Sequence, residues 1–313
     1  ALKTEPSYDL KLVNLRLDQT GEAMELLRFG EPAFLTFVKP VDHTLNKARA
    51  AGMLMPAELW NIYHLLRASR LAVNYLNQPF IRSLKSVAGS LAVNQDLERK
   101  LYAAVDEDGL RDDASAALQS IRKQIETLRL RIKEYLQNFI RSGNNQVLLQ
   151  DALVTERSGR YVVPVKQEYR NEVKGIVHDE SASGATVFIE PIAVVENNNK
   201  IRSLQKEEER EIERILKALS GEVAAWADEL RHDEAVLSEL DVIMARAHLA
   251  YNMSAFRPDL NSAGIIEINR AKHPLLGERA VPINVSLGKH YDILVITGPN
   301  TGGKTVVLKT IGL

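Results

Sequence analysis

The positions of proline limit this chain more than any other feature of its sequence. No proline occurs between Pro79 and Pro164, and none between Pro191 and Pro258. Because proline inside a helix removes a hydrogen bond and clashes with the preceding turn, long helices are permitted in these two gaps. The first gap contains apolar residues at alternating spacings of three and four, which is typical of a helix that packs on another helix. This stripe consists of Leu118, Ile121, Ile125, Leu128, Ile132, Tyr135 and Phe139.

The second proline-free gap carries a similar stripe, but this one is interrupted. Ile201 and Leu204 begin it and residues 212–230 resume it, whereas the stretch 205–211 is polar on every side. A helix that loses its apolar stripe either leaves the globular body as an arm or exposes an ordinary solvated face. The sequence leaves both alternatives open.

Short strands are predicted between the two helical tracts. The runs 160–165 and 185–189 are rich in β-branched and aromatic residues and are bounded by glycine and proline, which is the pattern of strands. The N-terminal hundred residues are expected to be mostly helical, with one helix beginning at Pro56. The sequence therefore predicts a strand-rich insert between long helices.

The chain becomes strand-like again after Pro258. The runs 264–268, 281–287 and 292–297 are predicted strands, and the last is the kind of short apolar run that is buried in a parallel sheet.

Composition excludes several classes of protein. The chain has 40 Lys+Arg and 41 Asp+Glu, a net charge of -1, so any polyanion must be bound by a local patch rather than by a uniformly basic surface. The absence of Cys excludes disulfides, thiolate metal sites and a Cys nucleophile, and it fits a cytoplasmic protein. No apolar run approaches the roughly 20 residues that span a bilayer, so no membrane partner is expected.

The apolar run 292–297 leads directly into Gly-Pro-Asn-Thr-Gly-Gly-Lys-Thr, the phosphate-binding pattern of P-loop proteins. Glycines let the backbone N–H groups approach phosphate oxygens. We predict Lys304 and Thr305 as catalytic residues, with Lys304 against the β- and γ-phosphates and the Thr305 hydroxyl on Mg²⁺. The predicted cofactors are ATP or ADP and Mg²⁺. The predicted nucleotide contacts are Gly298, Pro299, Asn300, Thr301, Gly302, Gly303, Lys304 and Thr305.

Phosphoryl transfer also needs an acidic residue for the Mg²⁺ sphere and a group that orients the attacking water. Only eight residues follow Thr305, too few to complete a parallel sheet. The sequence is therefore expected to be a fragment of a longer protein, without ATP turnover by itself.

The window 157–178 is locally basic, with five Lys/Arg, two Glu and two interleaved Tyr. Such a patch favours binding to a nucleic-acid backbone, and a solvated strand face is the alternative. Nearby hydroxyl groups can hydrogen-bond to phosphates without reading base sequence. The predicted nucleic-acid contacts are Arg160, Lys166, Arg170, Lys174, His178, Ser181, Ser183 and Thr186.

Several segments resemble the MutS ATPases. The loop 298–305 is similar to theirs, whereas ATPases of the SMC and transporter classes typically place Gly-Ser before the last glycine, and 271–276 resembles the MutS His-Pro segment. The stretches 160–170 and 175–191 resemble the bacterial MutS-two subfamily more specifically. A structural coiled-coil ATPase of the SMC kind is therefore disfavoured.

This resemblance implies a mainly α fold with long antiparallel helical arms and a small β-rich insert, followed by the start of an α/β P-loop ATPase domain. The implied domains are 1–156, a helical core and ascending lever arm; 157–191, a strand-rich clamp insert; 192–260, a returning lever arm and core helices; and 261–313, the N-terminal part of the ATPase domain.

The resemblance also implies a function. It is that of an ATP-dependent homodimeric clamp that acts on branched or duplex DNA and suppresses recombination, with endonuclease activity in a domain beyond Leu313. The alternative is an ATPase that binds the ribosome or ribosomal RNA and splits stalled or collided ribosomes. Both targets are polyanions that a protein can recognise by shape, so the sequence leaves both open.

Overall fold

A computed structural model describes residues 6–299 and 302–312 of the chain. The fold is mainly helical with a small antiparallel sheet, as the sequence predicts. The helices of the described residues are α1 (Leu10–Leu27), α2 (Asp42–Arg49), α3 (Pro56–Leu76), α4 (Lys85–Ser90), α5 (Gln95–Ala104), α6 (Ala116–Arg141), α7 (Gly143–Gln146), α8 (Ile192–Ala225), α9 (Ala227–Asn252) and α10 (Lys304–Gly312). The strands are β1 (Thr155–Arg157), β2 (Arg160–Lys166), β3 (Gly175–Glu180), β4 (Thr186–Pro191), β5 (Ile266–Ala271) and β6 (Ile283–Leu287).

The chain divides into two compact units. One contains Ala1–Leu35, Leu71–Leu91 and Ala235–Leu313, and the other contains Thr36–Arg70 and Ala92–Glu234. The P-loop sequence belongs to the first unit and the strand-rich insert to the second. In the described parts of the chain, no helix has the length and apolar character needed to cross a membrane.

Helix α3 confirms the predicted helix start at Pro56. Proline is well tolerated in the first turn, where its missing N–H has no intrahelical partner. Leu59, Ile62 and Leu66 are buried on one face of this helix. Apolar burial therefore holds the helix in place, as the spacing of these residues predicts.

Helices α6 and α8 pack against each other in antiparallel directions. The Ser115 hydroxyl, at the N-cap of α6, donates to Glu211 at 2.7 Å, and Arg122 Nε donates to Glu208 at 2.7 Å. The predicted stripe of α6 is largely buried, but Tyr135 is 42% exposed and Leu136 is buried instead. The reason is that a straight helix has 3.6 residues per turn, so a strict seven-residue repeat drifts away from the buried face.

The polar stretch 205–211 lies within the continuous helix α8. Glu208 and Glu211 face the first turns of α6 through the contacts above, whereas Lys206, Glu207 and Glu209 are exposed. Polar pairs therefore replace the apolar stripe where α8 passes the beginning of α6.

The strand-rich insert forms a four-stranded sheet in the order β1-β2-β4-β3, with all neighbours antiparallel. Strands β2 and β4 confirm the two predicted runs. Val163, Val165, Val187 and Ile189 share one buried cluster with Ile132 and other residues of α6 and α8. The sheet is thus anchored on the helical pair by an apolar core.

Strands β5 and β6 confirm the predicted strands near 264–268 and 281–287, and they pair with each other in antiparallel directions. The prediction of a buried strand at 292–297 is wrong for this structure. No strand is assigned there, and Ile293 and Val295 are 78% and 75% exposed. A strand requires a neighbour for its backbone hydrogen bonds, and no described segment pairs with these residues.

Candidate nucleotide-binding loop and basic insert

Two glycines of the P-loop sequence have backbone conformations that favour glycine. Gly298 and Gly303 have φ angles of 141° and 76°, in the region where residues with a Cβ are strained. Helix α10 begins at Lys304, immediately after the second of these glycines. Two of the predicted contacts, Asn300 and Thr301, lie outside the described residues.

The Lys304 ammonium lies against the loop itself. It donates to the carbonyl oxygen of Gly298 and, at 2.8 Å, to that of Pro299. The Thr305 residue is exposed in the first turn of α10. The positive charge of Lys304 therefore lies beside Gly298 and Pro299, and its hydrogen bonds hold these two residues close to the start of α10.

These residues fit the phosphates of a nucleotide. A Cβ on Gly302 would lie 3.1 Å from the carbonyl oxygen of Pro299, a tight approach that a larger residue would disturb. The start of α10 adds unpaired backbone N–H groups and the positive end of the helix dipole, which favour an anion. The arrangement can therefore hold phosphate oxygens between Lys304, Thr305 and the beginning of the helix.

The eight predicted nucleic-acid contacts occupy three different places in the insert. Arg160 and His178 form part of an internal network on the sheet. Lys166, Arg170, Ser181, Ser183 and Thr186 gather at the end of the sheet where β3 turns into β4. Lys174 precedes β3 at the opposite end, beside the start of α8.

The internal network is built around the buried carboxylate of Glu190. This side chain is fully buried, and each of its two oxygens accepts a hydrogen bond from Arg160 Nη1 at 2.9 Å. His178 Nε2 lies 2.5 Å from one Glu190 oxygen, and Asn198 Nδ2 donates to the other at 2.7 Å. A second guanidinium nitrogen of Arg160 donates to Asn199 at 2.6 Å. The Arg160 charge is therefore already neutralised inside the protein.

A β-bulge explains how His178 reaches this network. The register between β3 and β4 shifts between Val177 and Asp179, which leaves His178 without a directly opposite partner. Bulges re-aim side chains in this way. A close strand approach supports the geometry, because a Cβ on Gly175 would lie 2.3 Å from the carbonyl oxygen of Glu190.

The turn end of the sheet carries the remaining polar side chains. Lys166 is directly opposite Thr186 in the register of β2 and β4, and its ammonium donates to the Val147 carbonyl at 3.1 Å. The Ser181 hydroxyl accepts from the Thr186 backbone N–H at 3.1 Å. Arg170 lies 3.8 Å from Glu180, and both side chains are about half exposed. These exposed or half-buried residues form one polar cluster, which we name the turn cluster: Lys166, Arg170, Ser181, Ser183 and Thr186.

Sequence reasoning missed the carboxylate that organises the insert and the basic character of α6. Glu190 directly follows a predicted strand, and the sequence around it does not indicate its partners because Arg160 is 30 residues away. Helix α6 contains six Lys/Arg and only two Glu, a simple charge count that would have identified it.

Comparison with known proteins shows extensive similarity to one family. The chain is 44% identical over 312 residues to Endonuclease MutS2 of Pelotomaculum thermopropionicum, covering 99% of this chain and 40% of that protein. It is 42% identical over 316 residues to Endonuclease MutS2 of Halalkalibacterium halodurans, covering 98% and 40%. It is 40% identical over 321 residues to Endonuclease MutS2 of Acetivibrio thermocellus, covering 100% and 40%. No protein-family model matches the chain.

The chain spans about two fifths of the length of these relatives. Its whole length nevertheless aligns with them at about 40% identity or more. The chain therefore corresponds to a segment of a MutS2-family protein, which confirms the resemblance drawn from its motifs.

Proposed function

We propose that this MutS2-family segment couples nucleotide binding to the gripping of nucleic acid in a full-length, homodimeric protein. ATP with Mg²⁺ is the nucleotide, and a branched or duplex DNA is the nucleic acid. The relatives are named endonucleases, and we assign a nuclease activity to a part of the full-length protein outside residues 1–313. We further propose that the protein acts in the cytoplasm and suppresses recombination.

The conformation of Gly298, Gly303 and the start of α10 supports the nucleotide part of this proposal. Two glycines with positive φ precede a helix whose first residue is Lys304. Mg²⁺ would be held through the Thr305 hydroxyl and the nucleotide, and it would neutralise charge that develops on the transferred phosphoryl group. The chain's own contribution is to orient the phosphates and to place the Lys304 charge beside them. The exposed apolar side chains of 293–295 are suited to burial against further strands of an α/β ATPase domain.

The test is ATP hydrolysis and binding by the full-length protein carrying Lys304→Ala. Loss of a charge aimed at the transition state should slow hydrolysis by about 10²–10³-fold. Lys309→Ala is the matched control, because Lys309 lies in the last turn of the same helix and should leave the rate unchanged. Hydrolysis at the wild-type rate by the Lys304 variant would reject the nucleotide site.

The turn cluster supports the nucleic-acid part of the proposal. It combines two cations with three hydroxyl groups at one end of the sheet, and phosphate contacts of this kind position a backbone without reading bases. Lys174 lies at the opposite end of the sheet, outside the turn cluster, and stays a predicted nucleic-acid contact. For Arg160 and His178 the contacts with Glu190 favour a supporting role. The predicted division into core, lever arms, clamp and ATPase start remains part of this proposal.

The corresponding experiment uses the full-length variant Lys166→Gln/Arg170→Gln. Binding to four-way DNA junctions should weaken, with a shallower dependence on salt by about 0.9 log units per log unit for each phosphate interaction that the variant removes. The matched control is Arg82→Gln/Lys85→Gln, an exposed Arg and Lys that make no side-chain ion pair within the described residues. Equal binding by wild type and the turn-cluster variant would remove the turn cluster from the interface.

Ribosome binding is the second candidate function, and competition separates it from the first. Wild-type protein is offered four-way junctions, linear duplexes and ribosomes at one fixed salt concentration. Preference for junctions supports the DNA assignment, whereas preference for ribosomes supports an ATPase that splits stalled or collided ribosomes.

A further inference from the structure

Helix α6 is strongly basic, with six Lys/Arg and two Glu, and two grooves run along its flanks. One groove, of about 460 Å³, is lined by Arg122, Arg129 and Lys133 together with the carboxylates of Glu126 and Glu208. The other, of about 370 Å³, lies on the opposite flank and has no carboxylate in its lining. The two flanks therefore differ in charge, because only the first groove has carboxylates beside its cations.

The carboxylate-free groove is formed by two helices of the same compact unit. Its cations are Lys123 and Arg131 from α6 and Lys200 from α8. All three residues are exposed, and none of the three forms an ion pair within the described chain. The remaining lining consists of three polar residues, Ser120, Gln124 and Thr127, and the apolar Leu128.

Ion pairing elsewhere in the helical pair shows that these charges could have been neutralised. On the other flank Arg122 pairs with Glu208 at 2.7 Å and also with Asp112. On α8 itself, Glu207 accepts from the Ser203 hydroxyl at 3.4 Å rather than pairing with a groove cation. Three like charges without an ion-pair partner in the described chain repel each other, and an anion in the groove would relieve that repulsion.

We infer that the groove of Lys123, Arg131 and Lys200 binds the phosphodiester backbone of duplex DNA. This inference rests on the proposed nucleic-acid-binding function and adds a second contact on the helical pair, apart from the turn cluster. Lys123 and Arg131 are eight residues apart, which is about 12 Å along a helix. Because neighbouring phosphates of one DNA strand are farther apart than the axial rise of about 3.4 Å per nucleotide, this separation lets the two cations contact different phosphates of one strand. Such contacts carry no base sequence and give binding that depends strongly on salt.

The experiment compares two double variants of the full-length protein that differ only in the flank of α6 that they change. The target is Lys123→Gln/Arg131→Gln, and the matched control is Arg129→Gln/Lys133→Gln. Each removes one Lys and one Arg from exposed positions of the same helix. Binding to a linear DNA duplex is measured over a range of salt concentrations, with an A-form RNA duplex of equal length as a second arm.

The target variant should bind DNA more weakly, with a log-log salt slope shallower by about 1.8, or about 0.9 for each contact. The control should keep the wild-type slope. Lys200→Gln, on the other helix, should reduce the slope by about 0.9 by itself. Because all these side chains are exposed, the thermal unfolding midpoints should match that of wild type.

Three results would overturn the inference. Equal slopes for target, control and wild type mean that the groove does not contact DNA, and equal reductions in target and control mean that only the general field of the helix matters. A reduction confined to the RNA duplex contradicts the DNA assignment. In each of these cases wild type still binds nucleic acid, which separates them from failure of the proposed function, where wild type binds neither duplex.

Discussion

The strand-rich insert and the α6–α8 pair both carry many cations, but the structure uses those cations differently. In the insert, Arg160 is paired with buried Glu190, and Arg157 lies 3.4 Å from Asp179 and stacks over the Phe188 ring at 4.1 Å. On the helical pair, Lys123 and Arg131 have no carboxylate partner within the described residues. The number of cations in a window therefore does not tell how many are available to a ligand.

The geometry of strands and helices accounts for this difference. Antiparallel strands bring residues far apart in sequence directly opposite each other, so a cation on one strand easily meets a carboxylate from another. On a helix, a cation meets mainly residues three or four positions away. Helix α6 has only two Glu among its 26 residues, and within the described residues neither forms an ion pair with a cation of the helix; the ion pairs of Arg122 are with Asp112 and Glu208.

The largest expected effect comes from removing the buried carboxylate. Glu190→Gln leaves the Arg160 charge without a counter-charge in a buried site, which should cost about 3–5 kcal/mol of unfolding free energy. Urea unfolding of this chain, followed together with hydrogen exchange in β2 and β4, measures the decrease. Glu180→Gln is the control, because its half-exposed pair with Arg170 is worth at most about 1 kcal/mol. Similar stabilities of the two variants would contradict a central role for Glu190.

A direct comparison of two arginines tests the contrast between the regions. Arg160→Gln should destabilise the chain by about 2–4 kcal/mol, because it leaves the Glu190 charge buried with fewer donors. Arg131→Gln should change stability by less than about 0.5 kcal/mol, since its side chain is exposed and unpaired within the described residues. Thermal unfolding of both variants provides the measurement. If Arg131→Gln proved the more destabilising of the two, the contrast would be reversed.

A smaller effect is expected at the N-cap of α6. The Ser115 hydroxyl accepts from the Leu118 backbone N–H at 3.0 Å and donates to Glu211 at 2.7 Å. Ser115→Ala removes both hydrogen bonds and should lower the unfolding free energy by about 1 kcal/mol. Ser203→Ala in the interior of α8 should be neutral or slightly stabilising, because alanine is the better helix former. An undiminished stability of the Ser115 variant would show that the helical pair does not depend on this cap.

The smallest expected effect is a dependence on pH. Hydrogen bonds from Arg214 and then Ser115 lower the pKa of Glu211 from 4.5 to about 2. Because the folded pKa is below the unfolded value, the stabilisation is complete above pH 4.5 and is lost as the pH falls toward 2. The Arg214 side chain is 64% exposed, so solvent screening keeps the contribution small. The stability difference between wild type and Glu211→Gln should shrink over this pH range. A difference that stays constant would exclude this linkage.

Much of the secondary structure follows from local sequence. The proline-free gaps, the spacing of Leu118, Ile125 and Ile132, and the β-branched runs correctly predict α6, α8, β2 and β4. The run 292–297 is predicted as a strand for the same local reasons and is not one. Its apolar side chains indicate that the run is suited to burial. Strand formation also requires a neighbouring strand, which the local sequence does not specify.

The P-loop motif and the family were determined by the sequence alone. Glycines at 298 and 303, followed by Lys304 and Thr305, restrict the backbone and the chemistry within a few neighbouring positions, so the pattern can be read without a fold. Which cations of the insert are available was decided only by the tertiary structure. Arg160 and Glu190 are 30 residues apart, and a bulge in β3 together with the packing of the sheet on α6 and α8 brings His178 and Asn198 to the same carboxylate. Partners at such separations are set by strand register and packing, which charge and spacing along the chain do not encode.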